Sequence, residues 1–369
     1  MIEKLFQNPS VRSFIDFWPE DNAAVKLVRV LAKAILFRKR IVGGRRVVFG
    51  GLEDAGCRSF VGVGPGRGEV LVETCFSAVS PGTEIGYYLD LPNFHQERPY
   101  FPGYSGCGVV RAAGRRVMGF RKGRLVAGNL KHSGMNVIAP AELVPVPEGL
   151  DGMEAAFVTL GVISLIGVKT AEIQRGDKVV ILGQGILGQL ADQLAALEGA
   201  GEVIAVARTA AKREISLRNG AGAFIALCDN DASLEAVRAD VVIDVTGSPP
   251  ALDAALMMAR PEGTVVLLGS PAGYGEPGSW PQILYDKDIE IKGAHIRNLE
   301  AEGSSYRNEA AKFLRLVAEK KVKLKHLITS IILPEEAPGF YQRLASGDRS
   351  MIGVVMDWRK RSNNVRGTQ

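Results

Sequence analysis

The hydrophobic and polar positions follow two different patterns along the chain. From Arg45 to Pro147, short β-rich runs such as RVVFG, EVLVE and GCGVVR alternate with Gly and Pro turns, which indicates an all-β module. From Gly176 onward, unbroken Val/Ile/Leu runs such as KVVIL alternate with helical segments such as GQLADQLAALEGA. Continuous apolar strands between helices are typical of a parallel sheet that is buried on both faces. We therefore predict a doubly wound α/β module in the second half of the chain.

Further helices and a final strand extend this pattern. Gly152–Thr170 is predicted as a helix between the two modules, and 305–320 as a helix after the parallel sheet. The segment ALDAALMMARPEG is predicted as a helix inside the α/β module. The sequence MIGVVMDW then returns to a β pattern near the end of the chain.

Length and composition indicate a folded protein of about two domains. The chain has 369 residues, of which 46% are hydrophobic and 23% are charged. Its four cysteines form no CxxC pair, which argues against a disulfide scaffold and a four-cysteine zinc lobe. The longest uncharged apolar stretch, 155–168, has 14 residues, fewer than the roughly 20 that a membrane span needs. The N-terminus shows no secretion signal, so we expect a cytoplasmic protein.

Positive charge is concentrated at the N-terminus. The net charge is +5, yet residues 1–46 alone carry +6. Within 23–40, apolar positions recur at helical spacing with basic residues between them, so we predict a basic amphipathic helix. This helix could pack on the body or on a second subunit, or it could make a peripheral contact with an anionic membrane surface. No recognition motif supports nucleic-acid binding, so we expect no nucleic-acid partner.

A glycine-rich loop follows the first strand of the α/β module and opens a helix. In GQGILG, Gly183 permits a tight turn, Gly185 lets the backbone approach a pyrophosphate, and Gly188 lets helix and strand pack closely. The helix N-terminus supplies free N–H groups to phosphates. We therefore predict a dinucleotide site. Its loop residues are Gly183, Gly185, Ile186, Leu187 and Gly188.

The residues after the second strand indicate which dinucleotide is bound. An NAD site usually has a carboxylate there, whereas this chain has Arg208 and Thr209, followed by Lys212 and Arg213. Cations at this position can pair with a 2′-phosphate, so we predict NADP(H). The alternative is that these are ordinary solvated charges and that the site is unselective. The ends of two later strands complete the predicted cofactor site with Thr246, Gly247, Gly269 and Ser270.

Taken together, these motifs are similar to the medium-chain dehydrogenase/reductase superfamily over about residues 45–358. The resemblance is carried by EVLVE, VSPGTEIGYY, YFPGYSGCGVV, GDKVVILGQGILGQL, DVTGSPPALDAAL, GTVVLLGS, IEIKGAHI and LITSIILPEEAPGFYQRL. It implies a GroES-like catalytic domain of 45–165 and 299–369, a Rossmann domain of 166–298, and an extension of 1–44. It also implies a homodimer or tetramer paired near GTVVLLGSPAGYG.

The chain departs from the zinc-dependent members of this superfamily. Their Cys and His ligands correspond here to Pro81 in SPGTE and to Tyr104 in GYS. The third ligand position falls near 159–163, where no Cys, His or Asp occurs, and the structural zinc lobe is missing. We therefore expect no bound zinc. The SPGTE form and the GY pair resemble the branch that contains bacteriochlorophyllide a dehydrogenase and related biosynthetic oxidoreductases.

Without a metal, side-chain donors must stabilise the negative charge that hydride transfer builds on a carbonyl oxygen. The resemblance assigns Thr83 to proton relay at the alcohol oxygen, although its hydroxyl could instead close the SPGTE turn. Tyr104 could donate a proton or form a wall of the cleft. Glu84 could orient a donor or pair with an arginine, and His132 could relay protons at neutral pH. The predicted substrate pocket contains Ser80, Tyr87, Tyr88 and Thr159.

These observations favour an NADP(H)-dependent, zinc-independent enzyme that interconverts a secondary alcohol and a ketone of a small molecule in a biosynthetic pathway. One alternative is reduction of a C=C bond in an enone or quinone, because an enolate oxygen also needs only hydrogen-bond donors. A second alternative is a nucleotide-binding protein with little turnover. The sequence has no GxSxG nucleophile elbow and no Walker-type loop, which argues against a serine hydrolase and against a nucleoside triphosphate hydrolase.

Overall fold

The computed structural model describes residues 27, 28, 30, 31, 34, 40–229, 233–271, 280–299 and 303–359. The five described residues before 40 are helical, with Ala34 buried and Leu27, Val28 and Leu31 exposed. The rest of the predicted amphipathic helix within 23–40 lies outside the described residues. No helix in the described part of the chain is both long enough and apolar enough to cross a membrane.

The all-β prediction for the first module corresponds to a hairpin and a seven-stranded sheet. The hairpin is antiparallel and is formed by β1 (Ile41–Gly51) and β2 (Asp54–Val63). The strands of the sheet are β3 (Val70–Ala78), β4 (Gly106–Ala113), β5 (Leu125–Gly128), β6 (Met135–Ile138), β7 (Leu143–Pro145), β14 (Ile328–Ile332) and β15 (Gly353–Asp357). Their spatial order is β14-β15-β3-β4-β5-β7, with β6 paired to β3. The C-terminal return to β structure therefore adds two strands to the first sheet.

The second module contains a six-stranded sheet in which every neighbouring pair of strands is parallel. The strands are β8 (Lys178–Leu182), β9 (Glu202–Ala207), β10 (Ala223–Ala226), β11 (Ala239–Asp244), β12 (Ala259–Leu267) and β13 (Glu290–Gly293). Their spatial order is β10-β9-β8-β11-β12-β13. The order reverses between β8 and β11, which is the switch point where doubly wound sheets bind ligands. The predicted fold class is confirmed.

Nine helices connect or cover these sheets within the described residues. They are α1 (Pro81–Tyr88), α2 (Gly152–Ala155), α3 (Val158–Thr170), α4 (Ile186–Glu198), α5 (Arg213–Arg218), α6 (Pro249–Met258), α7 (Trp280–Lys287), α8 (Tyr306–Ala318) and α9 (Ala337–Ala345). The predicted helix ALDAALMMARPEG was too long at its C-terminal end, since α6 ends at Met258 and β12 begins at Ala259. Pro261 has no N–H for a further helical turn, which explains the earlier end.

Helix α3 accounts for the long uncharged stretch in the sequence. It packs against α4 and α8, and most of its residues are buried. A Cβ added at Gly161 would lie 2.2 Å from the Phe313 ring of α8, so the two helices approach too closely for a larger residue there. This helix is apolar all round because it is enclosed in the core of the protein.

Candidate functional site

The glycine-rich loop has the geometry of a nucleotide-binding turn. Gly183 follows β8 with a φ of +104°, and a Cβ there would lie 2.6 Å from Cγ2 of Thr246. A Cβ at Gly188 would lie 1.8 Å from the carbonyl oxygen of Gly183. Gly185 is exposed, and nothing lies within 4 Å of a Cβ built there. The loop is therefore closed on the protein side and open on the side where a pyrophosphate would approach.

Helix α4 begins directly after this open glycine, with Ile186 buried and Leu187 partly buried in its first turn. No side chain caps its N-terminus, so its first N–H groups are available to an anion. These groups, together with the partial positive charge of the helix end, favour phosphate at this edge of the sheet.

The loops after β11 and β12 lie against each other beside the glycine-rich loop. A Cβ at Gly247 would lie 2.0 Å from the carbonyl oxygen of Ser270, and one at Gly269 would lie 2.2 Å from the amide nitrogen of Gly247. The backbone N–H and the hydroxyl of Thr246 both donate to Asp244 Oδ1, at 2.8 and 2.7 Å. Burial raises the pKa of Asp244, and these donors act against that shift. The structure thus brings together the cofactor residues predicted on three separate strands.

The four predicted residues near the ribose end differ in what they contact. Arg208 and Thr209 are exposed directly after β9, and the Arg208 guanidinium has no partner among the described residues. Lys212 donates to the carbonyl oxygen of Met351 at 3.1 Å, and burial lowers its pKa to about 8. The Arg213 guanidinium lies 3.7 Å from a carboxylate oxygen of Asp229. Arg208 is therefore the cation whose charge is uncommitted.

A cluster of three hydroxyl groups lies at the start of α1. The phenol of Tyr104 donates to Ser80 Oγ at 2.5 Å, and Thr83 Oγ1 lies 3.4 Å from the phenol oxygen. Ser80 precedes the first turn of α1, Thr83 lies in that turn, and Tyr104 lies two residues before β4. Burial raises the pKa of Tyr104 to about 12. The phenol is therefore protonated near neutral pH and can act as a hydrogen-bond donor.

A second polar group lies behind this cluster and is sealed from solvent. Glu84 is 1% exposed and His132 is 0% exposed. His132 Nε2 lies 3.1 Å from both carboxylate oxygens of Glu84, the Tyr341 phenol donates to Glu84 Oε2, and the Ser80 N–H donates to Oε1 at 2.9 Å. Burial, followed by the Glu84 charge, raises the pKa of Tyr341. Three donors thus satisfy this buried carboxylate.

The hydrogen bonds of His132 to Ser77 and Glu84 determine which nitrogen of its buried imidazole carries the proton. The Trp358 indole donates to Ser77 Oγ at 2.8 Å, and Ser77 Oγ lies 2.7 Å from His132 Nδ1. If the Ser77 hydroxyl donates to Nδ1 of His132, then Nε2 of His132 carries the proton and donates to Glu84. Every polar group in this series of hydrogen bonds then has a partner. His132 and Glu84 are thus held together inside the protein, whereas Thr83 and Tyr104 are partly exposed.

The other predicted pocket residues take different positions. Tyr87 is half-buried, and its ring centre lies 4.5 Å from that of Tyr100. Tyr88 is 1% exposed and donates to the carbonyl oxygen of Glu53 at 2.7 Å, so the structure places it in the core and not on a pocket surface. Thr159 is also buried, with its Oγ1 2.8 Å from the hydroxyl of Tyr306.

Several residues of this region were missed by sequence reasoning. Tyr341 and Tyr306 reach the site from α9 and α8, and nothing in the residues around them signals this role. Tyr100 lies in the YFPGY segment, whose aromatic content could have been used as a signal. Lys131, directly before His132, lies close to Tyr100, with its Nζ 5.7 Å from the ring centre.

The loop that follows the hydroxyl cluster contacts a loop of the parallel-sheet module. The loop after α1 meets the loop after β12, where Nδ2 of Asn93 lies 3.4 Å from the carbonyl oxygen of Pro271. Pro271 directly follows Ser270 of the predicted cofactor site. The loop after α1 therefore approaches the edge at which the parallel sheet presents its predicted cofactor residues.

The residues present do not fit a catalytic zinc ion. Two of the positions that resemble ligand positions hold Pro81 and Tyr104, and the third falls near 159–163. The hydroxyl groups of Tyr104 and of Thr159, the first residue of that range, are hydrogen-bonded to other hydroxyl groups. In the part of the chain that the structure describes, no three His, Cys, Asp or Glu side chains come close enough to hold a metal together. Zinc sites in proteins usually need three N, S or O⁻ ligands.

Comparison with known proteins agrees with the fold. The zinc-binding dehydrogenase family matches residues 187–319. Sorbitol dehydrogenase of Bacillus subtilis is 24% identical over 328 residues, which cover 78% of this chain and 90% of the relative.

Two solved structures illustrate the likeness of fold. A zinc-binding dehydrogenase of Sinorhizobium meliloti bound to NADP aligns with a TM-score of 0.74 at 22% identity, covering 86% of this chain and 99% of that one. L-idonate 5-dehydrogenase of Escherichia coli aligns with a TM-score of 0.74 at 17% identity and the same coverage.

Fold and site together define a two-module α/β protein with a dinucleotide-binding edge. The match over residues 187–319 and the similarity to a sorbitol dehydrogenase over most of the chain support an oxidoreductase of the medium-chain dehydrogenase/reductase type. The resemblance seen in the sequence motifs is thereby confirmed.

Proposed function

We propose that the protein is an NADP(H)-dependent, zinc-independent oxidoreductase that interconverts a secondary alcohol and a ketone in a biosynthetic pathway. The observation that carries this proposal is the Ser80–Thr83–Tyr104 hydroxyl cluster, in which Tyr104 occupies one of the positions that resemble zinc-ligand positions. The sugar-alcohol dehydrogenase among the relatives supports the alcohol–ketone class.

In this proposal the nicotinamide cofactor supplies or accepts the hydride, and the chain supplies position and protons. The hydroxyl of Thr83 and the phenol of Tyr104 donate hydrogen bonds to the carbonyl oxygen of the substrate. Ser80 Oγ accepts a hydrogen bond from the Tyr104 phenol when no substrate is present and so orients the phenol. The α4 N-terminus holds the pyrophosphate, and contact between the loops after α1 and β12 helps to exclude water.

The preference for NADP(H) rests on Arg208. Its uncommitted charge directly after β9 is placed to pair with a 2′-phosphate, with Thr209 as a neighbouring donor. The structural relative that is bound to NADP supports this choice. We expect Arg208→Ala to weaken NADPH binding about tenfold or more and NADH binding by much less. The matched control is Arg218→Ala, which removes an exposed arginine that is paired with Glu214. Equal loss of both nucleotides in Arg208→Ala would contradict the assignment.

A product assay tests the reaction itself. The protein is treated with a zinc chelator and given NADPH with conjugated enones, keto sugars and cyclic ketones, and the products are identified by mass and NMR. An alcohol with its C=C bond intact supports carbonyl reduction. A saturated ketone supports the enone or quinone alternative, which the same donors could serve. NADPH binding without any product supports the nucleotide-binding alternative.

Three further proposals concern the surroundings of the site. We propose that the substrate is a small molecule and that the chain forms a homodimer or tetramer. We also propose a cytoplasmic location, with peripheral membrane contact through 23–40 as the alternative to packing of that segment on protein. Nucleic acid is not a proposed partner.

A further inference from the structure

A strip of partly exposed side chains leads away from the hydroxyl cluster. Tyr87 lies one helical turn after Thr83, so the two side chains share a face of α1. The Tyr87 ring lies 4.5 Å from the ring of Tyr100, and the ammonium of Lys131 lies 5.7 Å from the Tyr100 ring centre. The strip therefore ends in a cation that stands over an aromatic ring.

The charge at the end of this strip forms no ion pair with the described residues. Lys131 is exposed, and no carboxylate of the described residues lies within ion-pair distance of its ammonium. Its backbone is fixed, because its N–H donates to Asn136 Oδ1 at 3.1 Å and Nδ2 of Asn136 donates back to its carbonyl at 3.3 Å. Partial loss of solvent around the ammonium lowers the pKa of Lys131, whereas the charges of Glu84 and Glu142 act to raise it.

The nearby carboxylates are engaged elsewhere. Glu84 is sealed behind the cluster by its three donors, and Glu142 accepts from Asn129 at 3.0 Å. A second cation, Arg98, donates through Nη2 to the carbonyl oxygen of Tyr87, and its buried Nη1 has no hydrogen-bond partner in the part of the chain that the structure describes. Asp90 lies 4.0 Å from Arg98 and is also bonded to His95. The strip thus has more uncommitted positive than negative charge.

We infer that Lys131 reads an anionic group, a carboxylate or a phosphate, at the end of the substrate remote from the reacting carbon. This inference rests on the proposed function, because the Thr83–Tyr104 pair fixes the position of the carbonyl. Tyr87 and Tyr100 form the wall along which the intervening carbon chain lies. The enzyme then prefers keto acids, keto phosphates or the corresponding hydroxy compounds over neutral ketones of the same length.

The test measures binding without turnover. Protein saturated with NADP⁺ is titrated by calorimetry with 5-oxohexanoate and with its methyl ester, which have the same ketone and chain but differ in charge. We expect the acid to bind about tenfold more tightly than the ester, as one charge-assisted contact predicts. In Lys131→Met the two should bind within about twofold of each other. Lys122→Met removes an exposed lysine of the same module and should behave like the wild type.

The outcomes separate this inference from the proposed reaction. An acid that binds no better than its ester in the wild type, or a preference that survives in Lys131→Met, overturns the inference. Reduction of the same two compounds is then followed with NADPH. Discrimination in binding without any alcohol product would count against the proposed reaction and leave the inference in place. Alcohol formed equally from acid and ester would support the proposed reaction and overturn the inference about Lys131.

Discussion

The two faces of α1 present similar polar groups to very different surroundings. One face carries Thr83 and Tyr87, which are partly exposed, whereas the other carries Glu84 and Tyr88, each 1% exposed. The carboxylate would be the stronger acid–base group in water, yet it has a full set of protein donors. The comparison teaches that the residue type best suited to chemistry is committed to structure here, and that neutral hydroxyl groups are left on the partly exposed face.

Removal of the cleft-facing hydroxyl groups should have the largest effect. We expect Thr83→Ala to lower kcat about 10³-fold, because a donor to the developing oxyanion is lost. Tyr104→Phe should cost somewhat less, since Thr83 still donates. Both variants should keep the wild-type melting temperature, because neither side chain is fully buried. Steady-state kinetics and thermal unfolding measure the two quantities, and a kcat within twofold of wild type in Thr83→Ala would disprove its role.

Removal of the buried carboxylate should affect stability first. Glu84→Ala leaves the donors of His132, Tyr341 and Ser80 without their acceptor, so we expect a loss of about 3 kcal/mol in the free energy of unfolding. Glu84→Gln keeps the shape and one acceptor oxygen and should lose less. Urea denaturation measures both values. If Glu84→Gln were as stable as wild type but without activity, Glu84 would be a direct participant in the reaction.

The same contrast explains how far the sequence could predict the site. The nucleotide loop was predictable because its chemistry is local: six consecutive residues carry the turn, the open backbone and the helix start. The sealed network is not local, since Glu84 and Tyr341 are separated by 257 residues and meet only because β14 and β15 join the first sheet. The exposure of each side chain was equally hidden, so Tyr87, which is partly exposed, and Tyr88, which is buried, could not be distinguished by residue type.

Loss of a single donor to the sealed carboxylate should have a smaller effect. Tyr341→Phe removes one charge-assisted hydrogen bond and keeps the ring contacts with Phe49 and Tyr88, so we expect a loss of about 2 kcal/mol in unfolding free energy. Because α1 is then held less firmly, kcat should fall several-fold while NADPH affinity is unchanged. Nucleotide titration beside steady-state kinetics checks this. A loss of NADPH binding equal to the loss in kcat would indicate general unfolding of the cleft.

The smallest effect concerns alkaline pH and again distinguishes the two faces. Burial raises the folded-state pKa of Tyr104 to about 12, above the value of about 10 for an unfolded tyrosine. A raised pKa contributes stability that is complete below pH of about 10 and is lost as pH rises toward the folded value. The difference in unfolding free energy between wild type and Tyr104→Phe should therefore be constant from neutral pH to about 10. Above that pH the wild type should lose stability relative to Tyr104→Phe. In catalysis, the phenol stays a donor over the same range, so its ionisation should produce no alkaline fall in kcat below about pH 10. Urea denaturation of both proteins across this range measures the difference, in which the contributions of the other buried tyrosines cancel. A divergence that begins near neutral pH would show that the phenol ionises easily, and Tyr104 would then act as a base and not as a donor.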